Sequence, residues 1–209
     1  MRVEIDGRPA AVRPGTTVLE AVRAAGGDVP TLCYDPRLEP FGACRVCLVG
    51  VGGARGPVAS CTTPCREGMV VDTTDATARR VAAATVELVL SELPGPPAPG
   101  SELARIADWL EVDAGKLRWP GTVHEAEQDL RHPYLALRHE LCISCGRCVR
   151  ACDEVQGAFA LTATGRGFEA NIAAGLDQGF RESTCVACGA CADTCPTDAI
   201  TEIALLRLD

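Results

Sequence analysis

The chain has 209 residues and a formal net charge of −8, and its aromatic residues are only four Phe, two Tyr and two Trp. The acidic balance argues against nucleic acid as a partner, because phosphates require basic surface. No apolar run reaches the roughly 18 residues of a membrane span. The N-terminus lacks the apolar core and cleavage site of a secretory signal. Thirteen cysteines without an export signal favour the cytoplasm, where thiols stay reduced.

The N-terminal segment predicts a hairpin followed by a helix. Residues 2–12 alternate in polarity around Asp6-Gly7, the dipeptide that a type I′ turn prefers. A capping-box pattern begins at Thr17 and predicts a helix that runs to Ala25, where two glycines follow. A hairpin, a helix and then a cysteine-bearing loop form the element order of a ubiquitin-like β-grasp domain, the fold of plant-type [2Fe–2S] ferredoxins.

A first group of cysteines follows this helix with the spacing C-x10-C-x2-C-x13-C. Its members are Cys33, Cys44, Cys47 and Cys61, and they predict a [2Fe–2S] site. Plant-type ferredoxins have a first gap of four residues, so this spacing indicates a different branch. The glycine-rich segment between Cys47 and Cys61 predicts two strands around a turn. It nearly spells a dinucleotide fingerprint, but Arg55 takes the third glycine position and no helix pattern follows, which argues against a nucleotide loop.

Cys65 is a fifth thiol beside this four-cysteine group. We interpret it as a spare buried side chain, because free cysteines behave as small apolar residues. A substitute role as a ligand is the alternative.

Two helices separated by a linker are predicted next. Residues 72–93 place apolar side chains at helical spacing, with Asp75 or Thr74 as the cap. Residues 94–100 are rich in Pro and Gly and therefore predict a linker without regular structure. The second helix is predicted over residues 101–110, with Ser101 as its cap.

The same pattern, C-x2-C-x2-C-x3-C, occurs twice in the C-terminal part, with the second copy 43 residues after the first (185 minus 142). In two-cluster bacterial ferredoxins the fourth cysteine of such a run ligates the other [4Fe–4S] cluster. One cluster is therefore predicted on Cys142, Cys145, Cys148 and Cys195, and the other on Cys185, Cys188, Cys191 and Cys152. Gly146 and Gly189 let the backbone pass close to each cluster.

Disulfides and zinc are the competing interpretations of these cysteines. Adjacent cysteines in a tight loop rarely suit a disulfide, and the total of 13 is odd. Zinc ribbons also use C-x2-C pairs, so a zinc-stapled structural adaptor is the alternative from a different functional class. Two tandem runs, the second of which ends in Cys-Pro, favour iron–sulfur clusters.

The segments around the two runs carry weaker signals. Residues 111–140 show no strong period and predict a connector. His139 lies there, three residues before the first run; we interpret it as solvated, with a role as a cluster ligand as the alternative. The glycine-rich insert at 153–184 predicts a small hairpin or loop that covers one cluster and excludes water.

The predicted fold class is α+β with three parts. Residues 1–78 predict a ubiquitin-like β-grasp [2Fe–2S] domain, residues 79–138 a helical and Pro/Gly-rich connector without a cluster, and residues 139–209 a bacterial ferredoxin-like domain with two [4Fe–4S] clusters.

The β-grasp N-terminus with its cysteine spacing, the stretch ASCTTPCREGM at 59–69, the helix ending LVLSEL and the double ferredoxin run carry a family resemblance. Together they resemble the amino-terminal region of the 75-kDa-type iron–sulfur subunit of respiratory complex I. They also resemble the diaphorase iron–sulfur subunit of NAD-reducing [NiFe] hydrogenases and the start of the alpha subunit of NAD-dependent molybdenum formate dehydrogenases. Residues 148–168 and 183–197 are most similar to the formate dehydrogenase branch.

The chain departs from this resemblance in two places. The family carries a His-x3-Cys-x2-Cys-x5-Cys cluster after the helix, but no His or Cys occurs here between Cys65 and His124, so that cluster is expected to be absent. Formate dehydrogenase subunits continue into a molybdopterin domain, whereas this sequence reaches Asp209 without one. The catalytic portion is therefore expected on a separate polypeptide.

The resemblance implies an electron-transfer role. The chain would relay single electrons in a cytoplasmic NAD-linked oxidoreductase, between a flavin-containing NADH-oxidising subunit and a catalytic molybdenum or tungsten formate dehydrogenase subunit. The alternatives are the diaphorase subunit of an NAD-reducing [NiFe] hydrogenase and a free ferredoxin. The sequence shows no nucleophile–base pair, no phosphate loop and no pterin or flavin site, so no substrate active site is expected on this chain.

Overall fold

The computed structural model describes residues 1–124, 128–175 and 179–204. The chain divides into two compact units. Unit 1 comprises Met1–Tyr34, Pro40–Leu88 and Ile106–Arg118, and unit 2 comprises Asp35–Glu39, Val89–Arg105 and Trp119–Asp209. None of the helices in the described ranges combines the length and the apolar composition that crossing a membrane would require.

Unit 1 is built on a five-stranded sheet with the order β2-β1-β5-β3-β4. Its strands are β1 (Arg2–Ile5), β2 (Arg8–Ala11), β3 (Leu48–Val51), β4 (Val58–Ala59) and β5 (Val70–Asp72). β1 pairs antiparallel with β2 and parallel with β5, and β3 pairs antiparallel with β5 and β4. The predicted N-terminal hairpin and the predicted strand pair between Cys47 and Cys61 are confirmed. Asp6 and Gly7 adopt φ of 50° and 76°, as a type I′ turn requires.

Helix α1 (Val18–Ala24) confirms the capping-box prediction. The Thr17 hydroxyl accepts a hydrogen bond from the Glu20 amide, and the Glu20 carboxylate accepts one from the Thr17 amide at 2.7 Å. The helix buries its apolar face against the sheet. That core includes Val18, Leu19 and Val22 from the helix and Val3, Ile5, Val49 and Val71 from the strands.

Helices α2 (Ala76–Ser91) and α3 (Glu102–Trp109) correspond to the two predicted after the first cysteine group. α2 begins four residues later than predicted, because Val70–Asp72 forms strand β5 instead. Asp75 is the cap, since its carboxylate accepts the Ala78 amide at 2.7 Å. Ser101 caps α3 by accepting the Ala104 amide at 3.2 Å.

Unit 2 contains two small two-stranded antiparallel sheets, and each of its cysteine runs includes a very short helix. Its strands are β6 (Leu135–Leu137) paired with β9 (Ile200–Glu202), and β7 (Leu161–Thr164) paired with β8 (Asn171–Ala174). Helices α4 (Arg147–Arg150) and α5 (Ala190–Asp193) each begin just before the third cysteine of a run. The β7–β8 pair confirms the hairpin predicted in the insert. β6 and β9 lie where no regular structure was predicted.

The two cysteine runs repeat the same backbone conformation. The residue before the second cysteine has positive φ in both copies, 50° at Ser144 and 55° at Ala187. The glycine after it is also left-handed, with φ of 73° at Gly146 and 79° at Gly189. Non-glycine residues pay a conformational penalty in this region, so its repetition at matching positions shows that the loop shape is imposed by the site.

Candidate iron–sulfur sites

The structure brings together the four cysteines that were predicted as the first group. Cys33, Cys47 and Cys61 are buried and Cys44 is half-buried. The Cys44 amide donates to Cys33 Sγ at 3.4 Å, and the Ser60 amide and hydroxyl hold the Cys47 carbonyl at 3.0 and 2.7 Å. β3 and β4 thereby return Cys61 beside Cys47, as the spacing predicted.

The thiols of this group interact directly with one another. A hydrogen bond with Cys61 lowers the pKa of Cys47 to about 6, and the same bond is the main cause that raises the pKa of Cys61. The charges of Cys33 and Cys44 raise the pKa of Cys61 further. A thiol with a lowered pKa is the readier metal ligand, because the thiolate binds the metal.

Cys65 has different surroundings. It packs in the apolar core of unit 1, and its amide donates to the Thr16 carbonyl at 2.9 Å. Burial is the main cause that raises the pKa of Cys65, and the negative charge of Glu20 raises it further. This environment agrees with the interpretation of Cys65 as a buried apolar side chain.

In unit 2, one hollow is lined by Cys142, Cys145, Cys148 and Cys195. Its remaining wall is largely apolar and includes Ile143, Ile172, Pro196 and Ile200. Burial raises the pKa of Cys145 to about 12, and burial also raises the pKa of Cys148 well above its ordinary value. The Ile200 amide points at Cys195 Sγ, 3.5 Å away. We call this space hollow 1.

A second hollow, hollow 2, is lined by Cys152, Cys185, Cys188 and Cys191. Its wall also includes the apolar residues Leu135, Ala158, Ala160, Leu161 and Phe180. The Ala160 amide donates to Cys152 Sγ at 3.1 Å, and the Ala187 amide donates to Cys185 Sγ at 3.4 Å. Cys188 is exposed, whereas Cys152 and Cys191 are buried.

The lining of both hollows suits a cubane cluster chemically. Each has four sulfur atoms on its wall, an apolar lining and backbone N–H donors aimed at sulfur, the features that hold and tune iron–sulfur clusters. The last cysteine of each run lines the hollow of the other run. Across residues 1–124, 128–175 and 179–204, no three His, Cys, Asp or Glu side chains are placed to hold a single metal ion.

The sequence did not identify the side chains that fix the wall of hollow 2. The Asp129 carboxylate accepts the Phe180 amide at 2.8 Å and the Arg131 guanidinium at 3.0 Å. Buried His132 accepts the Leu135 amide at Nδ1, and its ring lies 5.0 Å from that of Phe180. These residues come from the segment that was predicted only as a connector. No local sequence period indicates this role, because the contacts of Asp129 and His132 with Phe180 join residues far apart in the chain.

His139 belongs to a turn of 3-10 helix, His139–Leu141, and is half-buried rather than solvated. It is not among the described residues that line hollow 1 or hollow 2. Its carbonyl accepts the Cys142 amide at 2.9 Å, so its backbone positions the start of the first run.

Two family models match the chain. One is a 2Fe-2S iron-sulfur cluster binding domain over residues 1–76, and the other is a 4Fe-4S dicluster domain over residues 141–199. The cofactors of the chain are therefore one [2Fe–2S] cluster and two [4Fe–4S] clusters, as predicted. The zinc interpretation is not supported.

A solved structure matches almost the whole chain. It is the crystal structure of an NAD+-reducing [NiFe]-hydrogenase in the H2-reduced state, and one of its chains matches with a TM-score of 0.85 and 30% identity. The match covers 97% of this chain and 87% of that chain. The present chain belongs to the same family of iron–sulfur subunits.

Curated members of this wider family are longer proteins. The chain is 30% identical over 207 residues to the mitochondrial NADH-ubiquinone oxidoreductase 78 kDa subunit of Neurospora crassa, covering 96% of this chain and 27% of that protein. It is 30% identical to NADP-reducing hydrogenase subunit HndD of Solidesulfovibrio fructosivorans, covering 97% of this chain and 36% of that protein. The predicted resemblance to complex I and hydrogenase subunits is confirmed. The chain spans only about a quarter to a third of these relatives.

Proposed function

We propose that the chain is the electron-transfer subunit of a cytoplasmic NAD-linked oxidoreductase complex. Its residues would relay single electrons between a flavin-containing NADH-oxidising subunit and a separate catalytic subunit. The observation that carries the proposal is the gathering of twelve cysteines into three groups of four on a chain of this family. Each cluster, when bound, accepts and releases one electron.

The proposed ligands are those predicted from the spacing. The [2Fe–2S] cluster is held within a β-grasp domain by Cys33, Cys44, Cys47 and Cys61. One [4Fe–4S] cluster is held by Cys142, Cys145, Cys148 and Cys195. The other [4Fe–4S] cluster is held by Cys185, Cys188, Cys191 and Cys152. The apolar walls exclude water from the sites. The N–H groups of Ala160, Ala187 and Ile200 stabilise negative charge on sulfur and so set the reduction potentials.

The catalytic partner is proposed to act on formate. The sequence of residues 148–168 and 183–197 supports a molybdenum or tungsten formate dehydrogenase. A second candidate, a [NiFe] hydrogenase, is supported by the match to a hydrogenase chain over nearly its full length. Purification of the native complex followed by reduction with formate or with H2 separates the two: bleaching of the cluster absorbance by only one donor identifies the partner.

Electron paramagnetic resonance during an anaerobic reductive titration tests the proposal. We expect one [2Fe–2S] signal and two interacting [4Fe–4S] signals. The histidine-ligated cluster of the family is proposed to be absent, because no His or Cys occurs between Cys65 and His124. A third cubane signal would overturn that part. Colourless protein that contains zinc and no iron would overturn the whole proposal in favour of a structural adaptor.

A further inference from the structure

A buried ionic network in unit 2 begins inside the first cysteine run. Arg147 lies between Cys145 and Cys148, and only 5% of its surface is exposed. Its guanidinium donates to both carboxylate oxygens of Glu102 at 2.9 Å, to the Thr194 hydroxyl at 3.0 Å and to the Asp35 carboxylate at 3.5 Å. A buried guanidinium requires such compensation, because an isolated charge in the protein interior is strongly unfavourable.

Thr194 and Arg37 extend the network through their contacts with Asp35. The Thr194 hydroxyl donates to Asp35 at 2.8 Å, so the residue before Cys195 is tied to the same carboxylate as the residue before Cys148. Arg37 donates to Asp35 from its amide at 2.9 Å and from its guanidinium at 2.9 and 3.0 Å. The network therefore includes the chain neighbours of two of the four cysteines that line hollow 1, Cys148 and Cys195.

The second copy of the repeat has no counterpart to this network. Adding the repeat of 43 residues places Ala190 at the position of Arg147, and subtracting it places Ala151 at the position of Thr194. Ala151 is buried and Ala190 is half-buried. The two hollows therefore share a backbone shape but differ in the charge next to them: hollow 1 has a buried cation at a position where hollow 2 has a methyl group.

We propose that Arg147 and its partner Glu102 set the reduction potential of the cluster in hollow 1 apart from that of its internal copy in hollow 2. Arg147 is a positioning and electrostatic residue and not a ligand. The inference rests on the proposed ligand sets, and it goes beyond them by giving the two [4Fe–4S] sites different potentials.

The sign of each contribution follows from the charges. Reduction makes a cluster more negative, so a nearby cation favours the reduced state and raises the potential, whereas a nearby anion lowers it. Removing the Arg147 charge also leaves Glu102 without this partner, while Asp35 keeps Arg37, and the uncompensated Glu102 charge acts in the same direction. Removing the Glu102 charge leaves Arg147 partly uncompensated and acts in the opposite direction. Low exposure weakens solvent screening, so both effects are expected to be measurable.

The test is an anaerobic redox titration of the full chain, followed by electron paramagnetic resonance. At the wild-type midpoint of the hollow 1 cluster, Arg147→Gln is expected to lower the ratio of reduced to oxidised cluster about tenfold, equivalent to about 59 mV for one electron. Glu102→Gln is expected to raise this ratio, and Arg147→Lys to keep it close to the wild-type value. The cluster of hollow 2 should keep its midpoint in all three variants.

Two controls fix the interpretation. Arg166 is exposed in unit 2, so Arg166→Gln removes the same charge where solvent screens it and should move neither midpoint. Cys145→Ser alters one ligand of hollow 1 and thereby shows which signal belongs to that site.

The results distinguish a failure of the proposed function from a failure of the proposed role of Arg147. Wild-type protein without two [4Fe–4S] signals would overturn the proposed function itself. If both signals are present, equal shifts of both midpoints, no shift, or a shift of the signal that Cys145→Ser leaves intact would overturn the present inference. Should Arg147→Gln fail to bind iron, Glu102→Gln decides alone: a raised midpoint supports the inference, and an unchanged or lowered one refutes it.

Discussion

At the scale of single residues, the thiols of unit 1 differ in what surrounds them. Cys47 and Cys61 shift each other's pKa through a hydrogen bond, whereas burial dominates the pKa of Cys65. Cys65 also lies only 4 positions after Cys61 in the chain. Proximity to Cys61 along the sequence is therefore not sufficient reason to assign Cys65 as a ligand.

We expect Cys65→Ala to retain the [2Fe–2S] signal and the iron content of the wild type. The free energy of unfolding should fall by about 1 kcal/mol, because a small buried group is lost from a packed core. Cys61→Ala is the matched variant and should lose the signal. Loss of the signal in Cys65→Ala would show that Cys65 is a ligand after all. Iron analysis and electron paramagnetic resonance on both variants distinguish these results.

His132 gives the protein a pH dependence with a defined sign. Burial lowers its pKa, and Nδ1 accepts the Tyr134 and Leu135 amides, so the folded state holds a neutral ring. Below the ordinary histidine pKa of 6.5 the unfolded chain binds a proton that the folded chain does not. The contribution to stability is therefore complete above pH 6.5 and decreases as the pH falls towards the lower, folded-state pKa.

The urea midpoint for loss of cluster absorbance, measured anaerobically, should decrease between pH 8 and pH 5 in the wild type. His132→Asn can keep an acceptor near the two amides but does not titrate, so part of this decrease should disappear. His124→Asn, the same substitution at another histidine of unit 2, should leave the decrease in place. Parallel curves for the wild type and His132→Asn would contradict the argument.

At the scale of elements, the β7–β8 hairpin depends on a glycine for a steric reason. Gly165 has φ of +67°, and a Cβ there would collide with the Glu169 carbonyl oxygen. Gly167 has a similar φ of +59°, but a Cβ there would meet nothing within 4 Å. A residue other than glycine would be strained at either position, but only at position 165 would its Cβ also lack space.

We expect Gly167→Ala to lower the free energy of unfolding by about 1 kcal/mol, which is the conformational penalty alone. Gly165→Ala should lower it by several times as much, because the backbone of the turn must also move. Thermal unfolding of the loaded protein measures both. Equal effects at the two positions would mean that the turn relaxes freely and that the collision carries no penalty.

Sequence reasoning succeeded where the determinants are local. Helix α1 was predictable because its cap and its apolar spacing lie within a few residues of one another. The β6–β9 pair was not, because each strand has three residues and they lie more than sixty positions apart. The start of α2 was misplaced because pairing with β1 and β3 extends residues 70–72 instead.

The same distinction applies to the site. The three cysteine groups could be predicted, since fixed spacing encodes which sulfurs meet. The Phe180 wall and the network around Arg147 could not, because they depend on long-range contacts such as that of Arg147 with Asp35, 112 residues away. Local patterns thus predict the ligands, and tertiary contacts supply the environment that tunes them.

At the scale of the whole molecule, the two units differ in how much core they have without metal. The core of unit 1 contains many aliphatic residues, including Leu19, Val22, Val49 and Val71. That core also includes Cys47, Cys61 and Cys65. The core of unit 2 depends more on sulfur, because Cys148, Cys152 and Cys191 are buried in it and Cys142, Cys185 and Cys195 pack against it, and all six are proposed cluster ligands. Metal binding and folding are therefore coupled more strongly in unit 2.

Removal of iron with a chelator under reducing conditions should consequently open unit 2 first. Limited proteolysis of the treated protein is expected to cut within residues 135–200 before it cuts within residues 1–30. Protein kept loaded and treated with the same protease is the control and should resist at both places. First cuts in residues 1–30 would show that unit 1 is the more dependent on its metal.

The exposed thiol of Cys188 has a consequence for handling the protein in air. Of the eight cysteines that line hollow 1 and hollow 2, Cys188 alone is exposed. We therefore expect dioxygen and peroxide to reach hollow 2 without any opening of the fold. Oxidative damage should then proceed in order, with the [4Fe–4S] signal of hollow 2 fading before that of hollow 1. A briefly aerated preparation would contain molecules that have lost the cluster of hollow 2 and kept the other two clusters. Such molecules could still be reduced, but electron transfer through hollow 2 would be blocked.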